Sequence, residues 1–137
     1  MSREVKAMKK SRDKEERGMY LILAYMALHG GVLEVNDIDG NLFGELREKF
    51  EPDYDITRIK KDAKMMVKNH FLLKTRNGNY EFNLNIMKKI VFVSVAEYDT
   101  IFVQTHCEKD YYLRYIIPKE NFEEKLKEDY SGCFYKI

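Results

Sequence analysis

The sequence has few of the residues on which several protein classes depend. Its 137 residues include no tryptophan, two prolines and two cysteines, and neither Cys107 nor Cys133 belongs to a CxxC or CxxH pair. A disulfide framework or a zinc site is therefore not indicated, and free thiols in a reducing cytoplasm are the simplest interpretation. The longest apolar run, residues 19–28, is far shorter than the about 20 residues of a membrane span. Acidic residues precede this run, unlike in a signal peptide, so we expect a cytoplasmic protein without membrane contact.

Side-chain arrangements typical of catalysis or metal binding are also missing from the sequence. His29 and His70 fall near predicted helix ends, where a histidine is usually structural. His106 and Cys107 are neighbours on a predicted strand and would point to opposite faces. The acidic loop at residues 36–41 does not have the ligand spacing of an EF-hand, and no glycine-rich phosphate loop occurs. The sequence predicts a protein that is not an enzyme and has no metal and no cofactor.

Charge is distributed unevenly along a chain whose net charge is only +1. Residues 56–79 hold seven cations and one anion, whereas residues 18–55 hold eight anions and two cations. Residues 90–137 are acidic again, with nine anions and six cations. Positive charge concentrated in one short segment is typical of a surface for a phosphate backbone, although a solvated lysine-rich helix has the same composition.

The basic segment is predicted to begin with an amphipathic helix over residues 55–71, with Asp55 as its N-cap. Ile59, Ala63, Met66 and Val67 recur at helical spacing and predict a buried face. The opposite face is polar and mostly basic, with flanking cations, and consists of Thr57, Arg58, Lys60, Lys61, Lys64 and Lys68.

A β-hairpin is predicted to follow this helix directly, over residues 72–83. Asn77-Gly78 lies between two β-prone runs and predicts a two-residue type I′ turn, in which both central residues have positive φ. Around the turn stand Lys74, Arg76, Asn77 and Asn79.

The residues before the basic segment predict a supporting scaffold. Residues 1–10 are polar and basic and predict a frayed arm. Residues 11–29 predict a helix capped by Ser11, and its run 19–28 is apolar on every side, so it needs cover all round. The C-terminal third or a second subunit would supply part of that cover. A short strand is predicted at residues 32–35. A helix from about residue 39 or 41 to residue 50, with Leu42, Phe43, Leu46 and Phe50 on one apolar face, completes the scaffold.

The C-terminal third predicts a small antiparallel sheet with one helix. Residues 90–96, 100–107 and 111–117 are β-branched and aromatic, which favours strands. Residues 118–130 predict a helix, and residues 133–137 a last strand. The predicted fold class is therefore α+β, with one domain at residues 11–89 and a dimerisation or partner-binding region at residues 90–137.

The order helix, short strand, helix, basic helix and hairpin resembles the winged helix-turn-helix superfamily over residues 18–83. The run GNYEFN at residues 78–83 is also similar to the wing exit of plasmid replication initiators of this type, although Leu84 stands where a proline recurs in that family. The resemblance implies that the third helix enters the major groove while the hairpin, as the wing, contacts the backbone or the minor groove. It places Thr57, Arg58, Lys60, Lys61, Lys64 and Lys68 on the recognition helix, and Lys74, Arg76, Asn77 and Asn79 on the wing.

Two hypotheses about function follow. The first is a protein that binds double-stranded DNA, as a transcriptional regulator or replication initiator of phage, plasmid or archaeal type, and acts as a homodimer. The second is a winged-helix protein-protein interaction module without DNA binding, such as a host-directed phage protein. Residues 90–137 would dimerise or bind a protein partner.

Overall fold

Six α-helices and three short β-strands make up residues 2–106, the part of the chain that the computed structural model describes. The fold class is α+β, as predicted. In chain order the elements are α1 (Ser2–Lys10), α2 (Lys14–Leu28), β1 (Val32–Leu33), α3 (Gly40–Phe50), a 3₁₀ turn (Ile56–Arg58), α4 (Ile59–Lys68), β2 (Leu72–Lys74), β3 (Tyr80–Phe82), α5 (Asn85–Tyr98) and α6 (Thr100–His106). The chain divides into two compact units, Met1–Val91 and Phe92–Ile137. Across residues 2–106, no helix is both long and apolar enough to span a bilayer.

Helix α2 forms the centre of the first unit. Every residue from 20 to 28 is buried, because α1, α3, α4 and β1 all pack against this helix. The prediction that it is covered on all sides is confirmed. Its predicted start at Ser11 is wrong, since Asp13 is the N-cap and its carboxylate accepts a hydrogen bond from Glu15 N at 2.9 Å. The Ser11 hydroxyl instead accepts from Asp13 N, which helps to turn the chain between α1 and α2.

The N-terminal residues are a packed helix, so the prediction of a frayed arm is wrong. Val5 and Met8 lie one turn apart on α1 and are both buried. An apolar pair at this spacing is enough to dock a short helix on an apolar neighbour, here α2. Helix α1 therefore supplies cover that the sequence had assigned to the C-terminal third or to a second subunit.

Helix α3 lies where its apolar pattern predicts it. The Asp39 carboxylate caps its first turn by accepting hydrogen bonds from Asn41 N and Leu42 N at 3.1 and 3.2 Å. The Tyr25 hydroxyl of α2 accepts from Asp39 N at 2.9 Å and so ties this cap to the central helix. The predicted apolar face is buried and consists of Leu42, Phe43, Leu46 and Phe50.

The sheet is antiparallel, with β3 between β1 and β2. Leu72 lies opposite Phe82, and Leu33 lies opposite Tyr80, so these four buried side chains share one face. Leu73 lies on the other face and is 45% exposed. Strand β1 therefore joins the predicted hairpin to the residues that follow α2.

Residues 90–98 and 100–106 are helical, so the strand predicted at residues 90–96 is wrong, and so is the strand predicted at residues 100–107 as far as residue 106, where the described part of the chain ends. Along α5 the buried side chains include Val91, Phe92, Val95 and Ala96, a helical spacing, whereas a half-buried strand would alternate. A continuous run of β-branched residues suits a buried helix as well as a buried strand, and periodicity alone does not separate them. The elements predicted at residues 111–117, 118–130 and 133–137 lie outside the described residues.

Candidate nucleic-acid interface

The predicted cap, Asp55, holds the 3₁₀ turn that precedes α4, and α4 itself begins later than predicted, at Ile59. Asp55 Oδ1 accepts a hydrogen bond from the Thr57 hydroxyl at 2.7 Å and from Thr57 N at 3.0 Å. These two bonds hold the pKa of the Asp55 carboxyl below its usual value, the hydroxyl contributing most. The cap leads first into the 3₁₀ turn and then into α4, which ends at Lys68, before the predicted end at residue 71.

The inner side of α4 carries most of its apolar residues and its one carboxylate. Ile59, Ala63 and Met66 are buried, as predicted, whereas Val67, predicted on the same face, is half-buried. Met65 is 39% exposed. The Tyr54 hydroxyl donates to Asp62 Oδ2 at 2.6 Å, and the Asp62 side chain is only 12% exposed. Burial, together with this hydrogen bond, raises the pKa of Tyr54. The negative charge of α4 is therefore turned inward, away from the lysines of the helix.

The outer side of α4 is a surface of four lysines. Lys60, Lys61, Lys64 and Lys68 are all exposed, and none forms an ion pair within residues 2–106. Lysines three or four residues apart repel one another, and cations in a first turn oppose the helix dipole. This arrangement costs helix stability, and no ion pair within residues 2–106 offsets that cost. We call these four residues the lysine face.

Thr57 and Arg58, also predicted to contact nucleic acid, have partners within the chain. The Thr57 hydroxyl is used by the Asp55 cap. The Arg58 guanidinium lies 3.7 Å from Asp62 and 3.8 Å from Glu15 of α2. Both residues are exposed, but their polar atoms serve the fold, unlike those of the lysine face.

The hairpin is present, but its turn differs from the predicted type I′. Thr75 N donates to Asn79 O at 2.8 Å, and Gly78 N donates to Thr75 O at 3.1 Å. The loop therefore has three residues, and only Gly78, at φ +81°, has positive φ. A three-residue loop needs one left-handed residue at its end, whereas type I′ needs two, so the turn does not force Asn77 into that region.

The polar side chains predicted on the hairpin are placed unequally. Lys74, Arg76 and Asn77 are exposed, and the two cations have no acidic partner among the described residues. Asn79 is half-buried, and its N–H donates to the Thr75 hydroxyl at 3.2 Å. The exposed hairpin cations follow the lysine face after a short junction.

That junction, residues 69–71, carries an unusual helix end that the sequence did not predict. His70 has φ +68°, and the next N–H, of Phe71, donates back to Met66 O at 2.9 Å. This is a Schellman helix end with histidine at the position that glycine usually occupies. The Asn83 side chain of the hairpin donates to His70 O at 2.9 Å. This hydrogen bond joins the end of α4 to the hairpin. Asn69-His70 contains no glycine, so the sequence did not indicate a Schellman helix end here.

Acidic side chains around α2 and the segment that precedes α4 have cationic partners. Arg17 Nε lies 2.9 Å from Glu51 Oε1, and the Glu51 side chain is only 6% exposed. Lys14 Nζ lies 3.4 Å from Asp53 Oδ2. Among residues 2–106, no three acidic, histidine or cysteine side chains are grouped so that they could hold a metal ion.

The chain matches no protein-family model, no curated protein and no solved structure. What points to its function is the geometry of its side chains. Two features matter most: the exposed lysine face without acidic partners in the described part of the chain, and the basic hairpin hydrogen-bonded to the end of the same helix.

Proposed function

We propose that this chain binds double-stranded DNA, and that residues 18–83 act as a winged helix-turn-helix. The observation that carries the proposal is the lysine face, four exposed cations that cost helix stability and pair with no acid in the described part of the chain. Helix α4 would be the recognition helix and β2–β3 the wing. A transcriptional regulator or a replication initiator of phage, plasmid or archaeal type is the proposed role.

The proposed contacts divide between helix and hairpin. An α-helix fits the major groove, where lysines reach phosphates and guanine edges. Lys61, Lys64 and Lys68 would make these contacts, while Lys74 and Arg76 would bind phosphates from the hairpin. The inward position of Asp62 supports this division, because no carboxylate of α4 then opposes the phosphates.

Negative charge elsewhere supports one orientation on the duplex. Residues 18–55, which include α3, hold eight anions and two cations, and Glu48 on α3 is exposed. Phosphates would repel this acidic segment while attracting the lysine face. The bound orientation would thus be selected by charge before any base is contacted.

A homodimer is the proposed assembly, with residues 90–137 as the dimerisation or partner-binding region. Two-fold symmetry in the protein requires a palindromic site with half-sites about 10 bp apart, or a multiple of that spacing. Sedimentation of the full chain with and without duplex tests this part. A single protomer bound to one unrepeated half-site would contradict it.

The decisive experiment is fluorescence anisotropy with mixed-sequence duplex DNA between about 50 and 200 mM salt. We expect affinity to fall steeply with salt, and Lys64→Gln to reduce the slope of log K against log salt by about one. Lys14→Gln is the matched control, since Lys14 is equally a helical lysine but faces Asp53. The slope of this control should match that of the wild type. No binding at about 50 mM salt would refute the proposal.

A protein-interaction module is the second candidate, favoured by exposed apolar residues. Leu73, Leu84 and Ile86 are 45%, 46% and 58% exposed. Exposed apolar side chains can be buried against a protein surface, whereas they gain little from contact with charged phosphates. If the duplex experiment fails, substitution of these three residues by serine should abolish capture of the protein partner, whereas Lys64→Gln should not.

A further inference from the structure

His70 has a backbone conformation that is unfavourable for a residue with a side chain. Its φ of +68° makes it the only residue other than glycine with positive φ in the described part of the chain. The left-handed region brings Cβ close to the following carbonyl oxygen, and glycine is therefore usual at this helix-end position. Histidine is among the residues that tolerate the region better, but it still carries a cost relative to glycine.

The fold needs the left-handed backbone at this position but not the imidazole. The conformation lets Phe71 N donate to Met66 O, and it directs Phe71 to a groove that it lines with Met8 and Met19. The Asn83 amide holds the carbonyl oxygen of His70. None of these contacts uses the His70 side chain, so glycine would preserve them.

No polar or ring contact within residues 2–106 gives the imidazole a role that would offset this cost. His70 is exposed, and within residues 2–106 its side chain has no hydrogen bond, ion pair or ring contact. Two residues earlier stands Lys68, and four residues later Lys74, and both are exposed. The imidazole therefore stands at the junction between the lysine face and the basic hairpin.

We propose that the His70 side chain is a further nucleic-acid contact, donating a hydrogen bond to a phosphate oxygen between those held by α4 and those held by the hairpin. A neutral imidazole has one N–H donor in either tautomer, and a charged one has two. This inference rests on the proposed DNA binding and adds a binding residue to it. Glycine would relieve the backbone strain at this position. A strained conformation that is nevertheless kept is typical of a functional site.

The experiment compares three substitutions in the full chain by thermal unfolding and by duplex anisotropy at about 50 mM salt. His70→Gly should raise Tm by about 4 °C because it relieves the strain. The same variant should bind duplex about fivefold more weakly because it has no side-chain donor. Opposite changes in stability and affinity are the expected signature.

Two further variants separate the missing donor from a more flexible junction. His70→Ala keeps the cost of positive φ and removes the donor, so it should bind about as weakly as His70→Gly without the gain in Tm. His70→Asn tolerates positive φ and retains a donor, so its affinity should lie nearer that of the wild type.

The outcomes separate this inference from the proposed function. If the wild type binds duplex DNA and both His70→Gly and His70→Ala bind it with the same affinity, the role of His70 is overturned and the proposed DNA binding stands. A lower Tm for His70→Gly would overturn the premise that the side chain is costly. Absence of duplex binding by the wild type would overturn both proposals.

Discussion

Two groups of cations, one on α2 and near the start of α4 and the other on the outer side of α4, have different surroundings. Those of the first group face carboxylates: Arg17 pairs with Glu51 and Lys14 with Asp53, while Arg58 lies within 4 Å of Glu15 and of Asp62. The cations of the lysine face pair with no acid in residues 2–106. The two sets are similar in sequence, since both consist of basic residues on polar helical surfaces.

The difference indicates two uses of positive charge. The paired cations join residues that are distant in the chain, 34 residues apart for Arg17 and Glu51 and 39 for Lys14 and Asp53, so they help to position elements. The lysine face joins nothing within residues 2–106, and its members repel one another. Substitutions in the first set should therefore alter stability, and substitutions in the second set should alter binding.

The triple substitution Lys61→Gln, Lys64→Gln and Lys68→Gln should have the largest effect. Because it removes three cations that would neutralise phosphates, duplex affinity at about 50 mM salt should fall about a thousandfold, and the salt slope by about three. Stability in urea should stay the same or rise by about 0.3 kcal/mol per repulsive pair removed. Equal reductions of stability and binding would contradict the separation between the two sets.

Arg17→Met should have the next largest effect, and on stability. It leaves the buried Glu51 carboxylate and the Ser11 carbonyl oxygen without the guanidinium that now contacts both. We expect a loss of about 3 kcal/mol in the free energy of unfolding, measured in urea at pH 7, with an unchanged salt slope for DNA. The control is the double variant Arg17→Met/Glu51→Leu, which should recover most of the loss. A double variant no more stable than Arg17→Met would contradict this account.

Tyr54→Phe should have a smaller effect, because it removes one hydrogen bond to Asp62. The expected cost is about 1.5 kcal/mol. The folded state raises the pKa of Tyr54, so the unfolded chain loses the phenolic proton first. Wild-type stability should therefore fall as pH rises above the ordinary tyrosine value of about 10, and the fall should be weaker in Tyr54→Phe. If the free energies of unfolding of the wild type and of Tyr54→Phe fall equally as pH rises above about 10, the hydrogen bond between Tyr54 and Asp62 does not cause the loss of stability.

Thr57→Val should have the smallest effect and acts on the cap of the 3₁₀ turn. Removal of the hydroxyl should raise the pKa of Asp55 toward its usual value, as measured by NMR titration of the carboxyl. A carboxyl whose pKa is lowered by folding stabilises the fold above its unfolded pKa and loses that contribution as pH falls through the folded pKa. The acid-induced loss of stability should thus be shallower in Thr57→Val. The Thr57→Ser variant keeps the hydroxyl, and a raised Asp55 pKa there would contradict this explanation.

Elements governed by local chemistry were predicted well from the sequence. Asp55 caps the 3₁₀ turn that it precedes, and the apolar spacing of α3 and α4 identifies their buried faces. The hairpin around Gly78 was also predicted, because its residues favour strands and a turn on their own. These signals depend on neighbours within about four residues, and tertiary contacts reinforce them.

Elements governed by burial were predicted less well. The run at residues 90–96 was predicted to be a strand, and it lies in helix α5. Its β-branched residues fit either structure, and the choice depends on what surrounds them. The N-terminal residues were predicted to be an arm, because two apolar side chains among many charges do not reveal that α2 is available for docking.

The sequence by itself determined that this chain has a basic helix followed by a hairpin, and that acidic segments lie on either side of them. Only the tertiary structure decided which charges are available to a partner. It turned Asp62 toward Tyr54, gave Arg58 a neighbour on α2, and left the lysine face without acidic partners among residues 2–106. It also imposed positive φ on His70, because Phe71 must turn back onto α4. The physical reason is that local propensity depends on adjacent residues, whereas pairing and burial depend on residues that folding brings together.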